Sequence, residues 1–286
     1  MTSTVDPFAT GAATPARVRV TALDAVRDTL VMSRRNLRRT VRLPQLVVFA
    51  TIQPVMFLVL FNYVFGGAIS QTLPPAAGGA YINWLMPGII VQTLLFGASQ
   101  TAIGLTEDLV GGVVDRFRSL PMARSAVLAG RTLGDLVRNV GVMTLMLLIG
   151  FVLGFRAQTS WTGLLAGVAL ALLFSYAISW VMATLGLLAK NPEAAQSGVL
   201  LPIFPLVFAS SVFLPTTTMP WWLQAFADNQ PITHVVNAAR GLMLGEGALP
   251  AGHSVTGQVL VALAWTVAIG LVFAVVSVAM YRRAVQ

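Results

Sequence analysis

Long apolar runs, separated by short charged or turn-rich intervals, set the pattern of this chain. Six runs fall at residues 45–66, 83–106, 133–155, 162–189, 196–214 and 258–281. Each approaches or exceeds the roughly 20 apolar residues that a helix needs to cross the hydrocarbon layer. The pattern predicts an all-α integral membrane protein with six transmembrane helices. Ahead of the first run, residues 20–43 show helical periodicity: Leu23, Val26, Leu30, Leu37 and Val41 fall near one face, and Arg27, Arg34, Arg35, Arg38, Arg39 and Arg42 crowd the rest. Such a basic amphipathic helix lies in the headgroup layer, or serves only as a positive flank to the first span. Residues 1–19, rich in Thr, Ala, Pro and Ser, predict a disordered tail. Pro44 separates the interfacial helix from the first span.

Between the second and third runs lies a charged island, residues 107–131. Over 109–120 the apolar positions Leu109, Val110, Val113, Val114, Phe117 and Leu120 share one helical face, opposite Asp108, Asp115, Arg116 and Arg118. Pro121 stops this helix, which at about 18 Å is too short to span. It can lie on the membrane or seat in the groove of a partner. Downstream, Arg131, Asp135 and Arg138 are spaced to form a side-chain ladder where the third span enters the bilayer.

Residues 210–245 are too broken for a span and too apolar for a free loop. Trp221–Phe226 predicts a short amphipathic helix, Asp228 to Pro231 a turn, and Ile232–Leu244 a second helix with Val235, Val236, Ala239 and Met243 on one side. The two predict a re-entrant pair dipping into the outer leaflet, where non-spanning backbone must be covered by protein or a cavity. Tyr81, Trp84, Trp161, Trp221 and Trp222 suit the outer interface. His234 has no ligand-spaced partner and reads as an ordinary interfacial histidine.

Composition agrees with the pattern. Hydrophobic residues make up 56% of the 286 and charged residues only 10%, against roughly 25% charged in soluble domains. The net charge of +8 comes from 17 Arg and one Lys. Its placement points to membrane topology rather than to nucleic acid. With the N-terminus inside, 16 of the 18 basic residues lie in inner segments, counting Arg138 at the inner end of span three, and only Arg156 and Arg240 lie outside. That asymmetry requires an even number of spans with both termini in the cytoplasm. No cysteine is present, which excludes disulfides and thiolate chemistry. No phosphate loop of the type GxxxxGK[ST] occurs, and the lone Lys190 precedes Asn191-Pro192. The chain therefore carries no ATP site of that kind. No ionisable residue falls near mid-span, which disfavours a proton-driven carrier, and no carboxylate sits mid-span to face a cation. Asp228, His234 and Glu246 have no catalytic spacing.

The island GGVVDRFRSLPMARSAVLAGR and the later FLPTTTMPWWLQAFADNQPITHVVNAARGL resemble the membrane subunits of type-2 ABC exporters, in their daunorubicin-resistance-like actinobacterial branch. The resemblance covers nearly the whole chain. It implies a permease of a bacterial plasma membrane, with residues 44–286 forming the transmembrane domain. It implies a second permease subunit, identical or related, and a cytoplasmic ATPase that holds ATP and Mg; no cofactor is implied on this chain. A coupling helix would grip the ATPase through Asp108, Val113, Asp115, Arg116, Phe117 and Arg118. An extracellular gate element would include Trp221, Trp222, Phe226 and Asp228. Spans two and five would face the dimer axis. That places Gln92, Phe96, Ser99 and Gln100, with Phe204, Phe208 and Ser211 on a span bent by Pro202 and Pro205, along a substrate pathway. Rings with sparse amides and hydroxyls suit an amphiphilic cargo, drug or lipid-like, or they only hold helices together. Export of a polysaccharide or glycolipid, and secondary transport, stay open as alternatives.

Overall fold

A computed structural model describes residues 44–70, 73, 80–112 and 124–284. The predicted tail 1–19, the interfacial helix 20–43 and residues 113–123 of the island lie outside the described residues. Among the described residues every regular element is helical. Helix α1 (Pro44–Leu60) runs on through a π-helical turn, Phe61–Phe65, into a last turn, Gly66–Ile69. There follow α2 (Tyr81–Val110), α3 (Arg124–Val152), α4 (Trp161–Leu188), α5 (Pro192–Phe208), α6 (Trp221–Asn229), α7 (Pro231–Leu244) and α8 (Val255–Ala284).

Five helical stretches are long and apolar enough to cross a membrane: Val48–Ile69, Tyr81–Val110, Leu128–Val152, Trp161–Leu188 and Val255–Arg283. The predicted fifth span, 196–214, is instead α5, an apolar helix of 17 residues. It is about 25 Å long. Its start is well defined, with Pro192 in the first turn and the Asn191 side chain accepting from the Ala194 N–H at 2.7 Å. Its end comes early. Pro202 and Pro205 bring no N–H, so two carbonyls one turn back lose their helical donors. The chain then turns, and tertiary bonds take over: the Ser211 N–H donates to Thr233 Oγ1 at 3.3 Å, and the Gln230 side chain donates to the Ala209 carbonyl. Ser211 therefore lies beyond α5, not on the helical face with Phe204 and Phe208.

Helix α2 is the centre of the molecule. It is buried on every side from Tyr81 to Leu95 and packs against α1, α3, α4, α5 and α7. It approaches α4 closely at Gly186, where an added Cβ would come within 2.6 Å of the Ala102 carbonyl oxygen. Thr106 closes the same contact, its hydroxyl donating to the Gly186 carbonyl at 2.9 Å. The faces turned away from this core stay apolar, as with Phe49, Ile52 and Met56 on α1 and Leu271, Val272 and Val275 on α8. Broad apolar surface of this kind on two long helices matches hydrocarbon, not water.

Two aromatic positions depart from the interfacial expectation. Tyr81 and Trp84 are buried at the start of α2, and the Tyr81 hydroxyl donates to the Phe213 carbonyl at 2.6 Å. Their amphipathic rings fit a protein interior equally well once the polar tip finds a partner. Trp161, Trp221 and Trp222 are exposed, as an interfacial role requires.

Candidate functional site

A cavity of about 650 Å³ opens between α1, α2, α3 and α5. Helix α2 presents Phe96, Gln100, Ile103 and Glu107 to it, spaced i, i+4, i+7 and i+11 and therefore on one helical stripe. Phe49 and Gln53 come from α1, and Gln196 and Phe204 from α5. Phe96 and Phe204 meet edge to face with centroids 5.7 Å apart. The opposite wall is α3, with Arg131, Asp135, Arg138 and Asn139.

That α3 wall is internally bonded. Arg131 pairs with Asp108 at the end of α2. Asp135 accepts from the Thr101 hydroxyl at 2.7 Å and lies 3.8 Å from Arg138, which donates to the Gly97 carbonyl at 2.7 Å. The Asn139 amide donates to Ser175 Oγ at 2.9 Å. The predicted ladder along α3 is thus corrected: Asp135 joins Arg138, but Arg131 reaches across to α2. Its way is cleared by Gly104, where any side chain would collide with the Arg131 guanidinium. Arg138 is also deeper than expected. Helix α3 begins at Arg124, so Arg138 sits at its middle rather than at an entry point. Asp135, the Gly97 carbonyl and an open cavity make that depth tolerable.

The predicted pathway residues divide. Phe96, Ser99, Gln100 and Phe204 line the cavity; Gln92, Phe208 and Ser211 do not. Gln92 is buried within the bundle, and its Oε1 has no hydrogen-bond partner among the described residues. Phe208 stacks on Phe204, 5.8 Å between centroids and nearly parallel. Ser211 donates to Asn237 Oδ1 at 3.0 Å, in a different site.

That second site is built around Arg240 of α7, which is fully buried. Its guanidinium lies over the Trp84 ring and donates to the Trp84 carbonyl at 3.2 Å, the Ser211 carbonyl at 2.8 Å and Asn237 Oδ1 at 2.9 Å. Planar geometry and several fixed donors make Arg the side chain for this fork. The sequence places Arg240 on the predicted helix Ile232–Leu244 of an outer segment but does not predict its burial. A signal was present: Arg240 stands on the apolar stripe of α7, four residues after Val236 and three before Met243, both buried.

The expected coupling helix is corrected at its start: Asp108, Leu109 and Val110 form the last turn of α2, a turn at Gly111–Gly112 with Gly112 at φ +66° ends it, and the Asp108 ion pair ties α2 to α3. Val113, Asp115, Arg116, Phe117 and Arg118 lie outside the described residues. Of the expected gate residues, Trp221, Trp222, Phe226 and Asp228 are all exposed on α6, while α7 behind them is almost wholly buried. His234 lies 3.2 Å from Gln258 through its Nδ1.

Residues 27–244 match the family model described as ABC-2 type transporter. DrrB1, a daunorubicin resistance ABC transporter permease protein of Streptomyces coeruleorubidus, is 34% identical over 259 residues, which is 91% of this chain and 87% of that protein. DrrC, a probable doxorubicin resistance ABC transporter permease protein of Mycobacterium tuberculosis, is 28% identical over 259 residues, covering 91% and 90%. A putative transport permease of Cyanophora paradoxa is 24% identical over 227 residues, covering 78% and 76%. A bundle of membrane-length helices around a mixed aromatic and polar cavity, together with these matches, places this chain in the ABC-2 type transporter family.

Proposed function

We propose that this chain is the membrane subunit of an ATP-driven exporter that carries an amphiphilic compound outward across a bacterial plasma membrane. The observation that carries the reading is where the cavity ends. It runs along α2 from Thr93 to Glu107, and α2 stops three residues further on, within the charged island 107–131. A push on the island acts directly on the helix that lines the cavity. The drug-resistance permeases among its relatives support the same cargo class.

In this reading α1 to α5 and α8 are the six spans, with α5 reaching across by local thinning of the bilayer. Both termini and the island face the cytoplasm. Residues 20–43 lie in the inner headgroup layer as a brace. The segment that follows the turn after α2, with Val113, Asp115, Arg116, Phe117 and Arg118, is the coupling element, gripped by a separate ATPase that holds ATP and Mg. Helices α6 and α7 dip into the outer leaflet and close the outer side. A second permease subunit completes the pathway.

The test is reconstitution. The chain co-expressed with its ATPase in inside-out vesicles is expected to accumulate a fluorescent amphiphile only with hydrolysable ATP. The purified chain alone is expected to hydrolyse none. Hydrolysis by the single chain, or uptake that follows a proton gradient without ATP, would overturn the proposal.

A further inference from the structure

The walls of the cavity differ in a way that specifies its ligand. On α3 the charged groups are already committed: Arg131 to Asp108, and Arg138 to Asp135 and the Gly97 carbonyl. These pairs cancel. The remaining charged group on the lining is Glu107. It is exposed, and among the described residues its side chain makes no ion pair or hydrogen bond. Three carboxamides share that condition: Gln53 on α1, Gln100 on α2 and Gln196 on α5. The open side of the cavity thus offers three neutral amides and one negative charge. Toward the other end stand the paired rings of Phe96 and Phe204.

The stripe on α2 sets a length. From Phe96 to Glu107 is eleven residues, or about 16 Å along the helix axis. Rings at one end and a carboxylate at the other match an elongated molecule with an apolar body and a cationic head. An anionic head would have to break the α3 pairs and leave a buried charge without its partner. A neutral polar head would cover Glu107 without compensating it. A cation gains the carboxylate directly.

We propose that Glu107 is the counter-ion for a cationic amphiphile held in this cavity, with the head at Glu107 and the apolar body against Phe96 and Phe204. The assignment rests on the exporter reading for its purpose but not for its test, because binding needs no ATPase. Asp135, which the structure places well inside α3, is committed to Arg138 and Thr101, so the carboxylate left available to a ligand is Glu107 near the end of α2.

The experiment uses the full chain in nanodiscs of zwitterionic phosphatidylcholine. Equilibrium dialysis measures two probes: tetraphenylphosphonium, a permanent aromatic cation, and triphenylphosphine oxide, an uncharged relative. Glu107→Gln is expected to weaken the cation about tenfold, as loss of one solvent-accessible charge pair implies, and to leave the neutral probe unchanged. Glu107→Asp is expected to keep most of the cation affinity. Equal loss of both probes in Glu107→Gln overturns the proposal, because it reports a collapsed cavity. Unchanged cation binding in Glu107→Gln, or no cation binding by the unmodified chain, also overturns it. A chain that binds the cation through Glu107 yet shows no ATP-driven transport supports the counter-ion and overturns the exporter reading instead.

Discussion

The guanidinium carbon of Arg240 lies 3.5 Å from the centre of the Trp84 ring, although the two residues are 156 positions apart. Through its three hydrogen bonds Arg240 ties the start of α2, the turn after α5 and α7 into one block. A desolvated cation–π contact contributes about 2 kcal/mol. Replacing Arg240 by Met leaves the Trp84 and Ser211 carbonyls without this donor, at roughly 1–3 kcal/mol each. Arg240→Lys keeps the charge and loses the fork. We expect both variants to melt well below the unmodified chain, with Arg240→Met lower, in thermal unfolding of the purified protein. A double-mutant cycle with Trp84→Leu is expected to give a coupling of about 1–2 kcal/mol; additivity would dissolve the contact.

Gly104 leaves room for the Arg131 guanidinium beside Asp108. Gly104→Ala is expected to push Arg131 out of that pair at a cost of roughly 1–3 kcal/mol. Gly67→Ala, with open space around it, is the control and should cost little. Stability of both variants in detergent checks this, and equal melting of the two would count against the notch.

Asp135 and Arg138 form a half-buried pair in the middle of α3. Removing one partner strands the other, at about 3–5 kcal/mol where burial is deep. Asp135→Asn is therefore expected to destabilise the chain more than the double change Asp135→Leu with Arg138→Leu. Folded yield after membrane extraction, compared across the three proteins, reads the order directly.

Asp115 and Phe117 belong to the proposed coupling helix. Reversing the charge in Asp115→Arg, or placing a charge on the apolar face in Phe117→Asp, is expected to abolish transport and co-purification of the ATPase. Membrane insertion should stay intact, since neither residue is in a span. Normal efflux with a retained ATPase would remove the coupling role.

Several of these features were legible in the linear pattern. Val235, Val236, Ala239 and Met243 share one side of a predicted helix, and all four are buried in α7. The same stripe contains Arg240, but its burial was not legible, because a fully buried cation is the exception that local pattern does not announce. Pro202 and Pro205 were visible as a bend, but not as the cause of a helix that ends at Phe208. Of the seven pathway residues, four reach the cavity and three do not. Helical spacing groups residues on a face without saying which neighbour that face meets.

The all-helical, apolar character and five of the six predicted long runs follow from the chain alone, because crossing a hydrocarbon layer is a matter of local length and composition. The absence of a phosphate loop is equally local. Pairings between helices are not. Arg131 to Asp108, Arg138 to the Gly97 carbonyl and Arg240 to Trp84 all depend on how each helix is rotated about its axis and how closely the glycines let it approach. Those rotations saturate the charges on α3 and leave Glu107 facing the cavity. They are set by packing among residues far apart in sequence, and so they exist only in the folded bundle.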